Sequence, residues 1–95
     1  MAKFTTRVEL INAVAEDYDT LHKEMEGKNF TRTIKSIDGK EYYLPPAEYN
    51  REGEYTTGQT LSAAKAAASV TKKQYRILVT KASERSWFNL EPIKK

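Results

Sequence analysis

The sequence has no cysteine among its 95 residues, which removes disulfides, thiolate nucleophiles and Cys-based zinc sites at a stroke. It has one histidine, too few for a HExxH zinc site, and no Ser-His-Asp triad with a supporting partner in recognisable order. Its four glycines form neither a GxxxxGK[ST] loop nor a GxGxxG loop, so no nucleotide cofactor is expected. No apolar run approaches the roughly 20 residues that span a bilayer, and the N-terminus lacks a signal-peptide h-region. These absences lead to the expectation of a cytoplasmic protein without a membrane segment.

What is present suits a folded domain. Hydrophobic residues make up 39% and charged residues 31%, a balance that fits a soluble globular chain better than a disordered tail. The length allows one domain, 1–95. A net charge of +3 leans mildly toward anionic partners and is far from polybasic.

Strict alternation over Phe4 to Leu10 predicts a half-buried strand, with Arg7 on its outward face. Asp17 reads as the N-cap of a helix whose apolar face is Tyr18, Leu21 and Met25, ended by Gly27 in the left-handed conformation. Phe30 to Ile37 reads as a second strand, Asp38-Gly39 as a two-residue hairpin turn, and Lys40 to Leu44 as the return strand, stopped by Pro45 and Pro46. Residues 47 to 53 read as a polar loop. Thr57 or Thr60 caps a second helix with a small face of Leu61, Ala64, Ala68 and Thr71. Tyr75 to Thr80 is apolar on both faces, so it is placed inside the sheet. The tail, 84–95, carries Trp87, Phe88 and Leu90 and is expected to form an arm, either a short strand or a cover on a neighbouring subunit in a homodimer. The fold class is α+β, a ferredoxin-like βαββαβ sandwich: one four-stranded antiparallel sheet, both helices on one face, and the other face open.

That open face would bring Arg7 and Arg76 together with one of Arg32 and Lys35, while Tyr42 or Tyr43 offers an aromatic platform. Cations and aromatics on an exposed sheet fit single-stranded RNA, with phosphates on the cations and bases on the rings. A solvated face that merely keeps the sheet soluble is the plainer reading. His22 lies between Asp19 and Glu26, where a carboxylate would raise its pKa. It reads either as a surface helix histidine or as a general base on a ribose 2′-OH. Asp17, Asp19, Glu24 and Glu26 cluster on the same helix, but capping and solvation account for half of them, and no metal site is assigned. The loop 45–55, with its prolines and tyrosines, reads either as a stiff connector or as a partner surface.

The ordered series FTTRVEL, DYDTLHKEM, NFTRTIKSIDGKEYYLPPAEYN, the AKAAA helix, ILVTKA and SWFNL resembles the GhoS-like family of type V toxin–antitoxin endoribonuclease antitoxins. The likeness runs from Phe4 to about Leu90. It implies a ferredoxin-like fold and metal-independent, sequence-selective cleavage of a toxin's messenger RNA. It also implies a phosphate or base role for His22, which stands where the family has an arginine, and a stacking role for Tyr55. With Arg32 as phosphate ligand these form the expected catalytic set; Arg7, Lys35, Arg76 and Tyr43 form the expected RNA-binding set. The alternative is a non-catalytic protein-interaction module or a small phage- or plasmid-type regulatory protein, using LPPAEY and the Trp87-Phe88 tail.

Overall fold

Period-two burial gives the first strand. In the computed structural model, which describes residues 1–93, β1 spans Ala2–Leu10; Phe4, Thr6, Val8 and Leu10 are buried while Lys3, Arg7 and Glu9 are exposed. The first helix, α1 (Ala15–Glu26), starts two residues before the expected cap. Val14 is the N-cap, and its N–H donates to the Asp17 carboxylate at 3.0 Å, so Asp17 serves the helix from inside the first turn. Leu21 and Met25 are buried, and the Tyr18 hydroxyl accepts from the Leu10 N–H at 3.0 Å, pinning α1 to the end of β1. Gly27 does not take the left-handed conformation: its φ is −63°. That role falls to Asn29 at φ 68°, and the Phe30 N–H then returns to the Met25 carbonyl.

The hairpin is shorter than alternation suggests. Strand β2 (Thr33–Lys35) pairs antiparallel with β3 (Glu41–Tyr43). Its turn is a three-residue loop instead of a two-residue one: the Ser36 N–H meets the Lys40 carbonyl at 2.8 Å, and Gly39 takes φ 86°.

Residues 47–53 are where the structure departs most from the sequence reading. After Pro45-Pro46 the chain reverses through Ala47 at φ 68°, and Glu48–Gly53 forms β4, paired antiparallel with β1 from Ala2 opposite Gly53 to Arg7 opposite Glu48. Tyr49 and Arg51 face inward and are buried. An arginine in an inward position hid the alternation.

The second helix, α2 (Thr57–Ser69), is capped by Thr56. The Gln59 N–H donates to Thr56 Oγ1 at 3.0 Å and the Thr56 N–H to Gln59 Oε1 at 2.9 Å. Its buried face is Thr60, Ala64, Ala67 and Ala68, while Leu61, expected inside, is exposed. Strand β5 (Tyr75–Ala82) pairs antiparallel with β1, completing a three-stranded sheet in the order β4-β1-β5. The class is therefore α+β, but the element order is βαβββαβ. A three-stranded sheet and a separate two-stranded hairpin replace the expected four-stranded sheet. They touch through an isolated bridge between Thr31 and Asn50. Contrary to expectation β5 lies at an edge, and Leu78 on its outer face is exposed.

Both helices cover one face. Val8, Leu10, Leu21, Met25, Phe30, Tyr49, Ala64, Ala67 and Ala68 form a single core, in which the alanines let α2 lie close to the sheet. The other face is not fully open. The tail crosses it, with Arg85 bonded to Thr5 and Asn50, and then adds to β3: the Tyr43 N–H meets the Glu91 carbonyl and the Ile93 N–H the Glu41 carbonyl. Of the arm expected over 84–95, residues 94 and 95 lie outside the described residues. Of the rest, Arg85, Trp87, Glu91 and Ile93 contact their own chain, while Phe88 is exposed.

Thr6 is wholly buried, and among the described residues its Oγ1 has no hydrogen-bond partner. Desolvating an unpaired hydroxyl opposes folding, and valine has the same shape without it. Thr6→Val is expected to raise unfolding free energy by about 1 kcal/mol, read from the urea midpoint at constant slope.

Candidate functional site

His22 projects from the middle of α1 toward β4. Its Nδ1 lies 2.6 Å from the Tyr49 hydroxyl, and the two rings are tilted with centroids 5.8 Å apart. Tyr49 is itself wedged edge-on against Phe30, at a centroid distance of 6.3 Å, so its position is set by core packing. The surroundings hold the imidazole below its ordinary value of 6.5. Burial is the largest cause and the Arg32 guanidinium the next, together outweighing Asp19 and Glu26. This corrects the sequence expectation that a neighbouring carboxylate raises the pKa. Burial likewise pushes the Tyr49 phenol far up, so it stays protonated. His22 and Arg32 are brought into mutual electrostatic range; a neutral imidazole beside a guanidinium can accept a proton next to a bound phosphate.

Tyr55 does not join them. Its ring lies under the Arg51 guanidinium at 3.7 Å from the centroid, and its hydroxyl accepts from Asn29 Nδ2 at 3.3 Å. Arg51 is buried, donates from Nε to the Lys28 carbonyl at 3.1 Å and from Nη1 to Thr60 Oγ1 at 3.3 Å, and also packs on Phe30. The Tyr55 face expected to receive a base is taken by this structural cation.

The sheet cations divide into two sets. Arg7 faces Glu48 at 3.7 Å and Arg76 faces Glu9 at 3.0 Å, so both expected phosphate ligands already have a carboxylate partner, though in exposed pairs worth little. Lys35 belongs elsewhere. It lines a cleft of about 720 Å³ between the hairpin, the end of the sheet and the crossing tail, together with Lys3, Arg85, Ile34, Tyr42 and Trp87. Tyr42 and Trp87 meet with ring centroids 5.8 Å apart. Tyr42 is thus the tyrosine of the pair that faces the cleft, and Tyr43 is exposed elsewhere on β3. Arg85 is fixed by Thr5 Oγ1 at 3.2 Å and Asn50 Oδ1 at 2.8 Å, and burial holds its guanidinium somewhat below its usual range. Asp38 and Glu84 also line the cleft, leaving the three cations in excess by one.

Sequence reasoning found Lys35 and missed Lys3, Arg85 and Trp87 as a group. Those three are separated by most of the chain, and only the returning tail brings them together. The signal available was the tail's density of aromatics. The two clusters lie on opposite sides of β4: Tyr49 faces the helices with His22, and its neighbour Asn50 holds Arg85 on the far face. Among the described residues no group of three or more His, Asp or Glu side chains is placed to share a metal ion, and no helix is long and apolar enough to cross a membrane. Compared with protein-family models and with curated proteins, the sequence matches none.

The fold disfavours protonated His22, so its stabilising share is complete above the unfolded value of 6.5 and is lost as pH falls through 6.5 toward the lower folded midpoint. An NMR titration of the His22 ring is expected to give a midpoint below 6.5, and His22→Gln to remove the loss of stability in that pH window.

Proposed function

We propose that the chain is an RNA-acting protein that binds single-stranded RNA at the cleft between the hairpin and the tail. The observation that carries this reading is the convergence of Lys3, Lys35 and Arg85 on the Tyr42–Trp87 pair, in one open cleft of about 720 Å³. A base is a flat apolar surface joined to an anion. The cleft offers an apolar and aromatic wall beside cations, and stacking on such side chains contributes roughly 1–3 kcal/mol per base. Arg85 is preorganised by its hydrogen bonds, so less entropy is lost when it meets phosphate. This reading keeps RNA as the partner and moves the contact away from Arg7 and Arg76.

A second reading, cleavage, is favoured by His22 lying within electrostatic range of the Arg32 guanidinium and against the Tyr49 hydroxyl. It keeps the likeness to the GhoS-like endoribonuclease antitoxins, and with it a ferredoxin-like description in which β3 is an insertion. The Thr31–Asn50 bridge supports that description, because it brings the chain before β2 alongside β4. For cleavage, His22 donates Nδ1–H to the Tyr49 hydroxyl and keeps the Nε2 lone pair for the ribose. Nε2 takes the 2′-OH proton, the 2′-oxygen attacks phosphorus, and the P–O5′ bond breaks. The leaving 5′-oxygen takes a proton from water, so that a 2′,3′-cyclic phosphate and a 5′-OH result while the imidazolium returns its proton to solvent. Arg32 neutralises the phosphate. A strand serving both clusters has to pass around the hairpin end of the sheet.

Trp87 is the only tryptophan, so its fluorescence reports on the cleft directly. Titration with a single-stranded oligoribonucleotide is expected to shift its emission. Lys3→Ala and Lys35→Ala, at exposed positions, are each expected to weaken binding several-fold and to lower the salt slope by about 0.7. An emission that ignores RNA, with no salt-dependent retention of RNA, would sink the proposal. In a separate assay in EDTA, the purified protein is expected to release 5′-OH ends from single-stranded RNA, and His22→Ala to abolish this. Equal cleavage by both proteins, or by neither, removes the catalytic reading and leaves the binding one intact.

A further inference from the structure

We propose that the chain forms a homodimer by pairing β5 with β5 of a second copy, in antiparallel register centred on Leu78. The inference is independent of the RNA reading and starts from the hydrogen bonds of β5. Its register on β1 is extended by the Ile11 N–H bonded to the Gln74 carbonyl at 2.9 Å. Hydrogen-bonded and non-bonded positions alternate along an antiparallel pair, so Arg76, Leu78 and Thr80 direct their N–H and C=O groups to β1. Tyr75, Ile77, Val79 and Lys81 therefore direct theirs outward. Among the described residues no backbone group pairs with them, because the tail turns away at Ala82 and crosses toward Thr5 and Asn50.

The centre of the edge, between Arg76 and Lys81, is also undefended. Soluble proteins blunt long edges with proline, bulges or central charges. β5 has eight residues, no proline or glycine, and an uncharged run of Ile77, Leu78, Val79 and Thr80 at its centre. Leu78 is 65% exposed on the face away from the helices.

The occupant follows from the register. An antiparallel copy centred on Leu78 sets Ile77 opposite Val79 and Tyr75 opposite Lys81, so every outward N–H and C=O of those residues finds a partner. Slipping the pairing by one residue would place core-facing side chains opposite outward ones; slipping it by two moves the centre to Ile77 or Val79 and leaves Lys81 or Tyr75 without a partner. Arg76 falls opposite Thr80 and Lys81 opposite Tyr75, with no like charges face to face. Leu78 meets its own counterpart at a non-hydrogen-bonded site, where Cα atoms approach to about 4.5 Å, and the two exposed leucines cover each other. A strand of another sequence would satisfy the backbone, but this edge matches its own copy in backbone, charge and apolar contact. The product is a continuous sheet, β4-β1-β5 followed by the partner's three strands in reverse order.

The absence of cysteine gives a clean test. Leu78→Cys places two thiols within the roughly 4.4–6.8 Å Cα range of a disulfide, and mild oxidation is expected to yield a covalent dimer that Ser62→Cys, on the exposed side of α2, does not. Sedimentation of the unmodified protein is expected to show a concentration-dependent dimer. Leu78→Lys, at an exposed position that far-UV circular dichroism can confirm as folded, is expected to weaken it at least ten-fold. A protein that remains monomeric to about 1 mM overturns the proposal, since a specific interface of even the smallest class would appear there. A dimer that survives Leu78→Lys, with Leu78→Cys uncrosslinked, also overturns it.

Discussion

The buried guanidinium of Arg51 is the constraint around which the fold closes. It arrives on an inward position of β4, bonds to the Lys28 carbonyl just past the end of α1 and to Thr60 of α2, and packs on the rings of Phe30 and Tyr55. No carboxylate neutralises it among the described ion pairs, so its charge is met by a carbonyl, a hydroxyl and two π faces. A cation taken out of water without such partners would cost several kcal/mol, so the helix ends, β4 and Tyr55 have to hold their positions together. Tyr55 is therefore a structural residue here, and the small residues of α2 are set at the height that lets Thr60 reach the guanidinium.

That arrangement also sorts the remaining polar groups. On the helix side, Tyr49 packs on Phe30 and presents its hydroxyl to His22, which is left neutral by burial and by Arg32. On the far side, Asn50 and Thr5 hold Arg85, and through it the tail, over the sheet. Successive residues of one strand thus serve two clusters of different chemistry: a neutral imidazole on one face, and a cationic, aromatic cleft on the other. Arg7 and Arg76 lie on the outer face of the sheet, each matched by a glutamate. These two arginines are thus partly balanced, while the cleft at the tail crossing holds three cations against two carboxylates.

Much of the architecture was legible because it is written in local periodicity. The alternation of Phe4, Thr6, Val8 and Leu10 describes buried positions correctly, as do Leu21 and Met25 of the helix face, with Tyr18 half-buried beside them, and the prolines do stop β3. β4 was illegible because its inward residues are Tyr49 and Arg51, and an arginine scores as solvent whatever ring it is destined to meet. In α2 the expected Ala64 and Ala68 do face the core and Thr71 just beyond the helix is buried, but Leu61 is exposed: it outweighs alanine in a local count, although contact with the sheet favours the smaller side chains. β5 looked central because its outer face carries Leu78, and local apolarity does not tell a buried strand from an exposed edge. Of the candidate residues, His22 and Arg32 do come into electrostatic range and Lys35 does line a cleft. Tyr55 is turned to Arg51, and Tyr43 gives way to Tyr42.

By itself, then, the sequence determined the class, the two amphipathic helices, the first strand, the hairpin and the absence of thiol chemistry. Each of these depends on residue type and on spacing within a few positions, which act before any distant contact forms. Only the tertiary structure decided which charges are neutralised, which way the His22 pKa moves, and that Lys3, Lys35, Arg85 and Trp87 share a cleft. Those properties depend on burial and on through-space distance between residues up to most of the chain apart, quantities that no local pattern encodes.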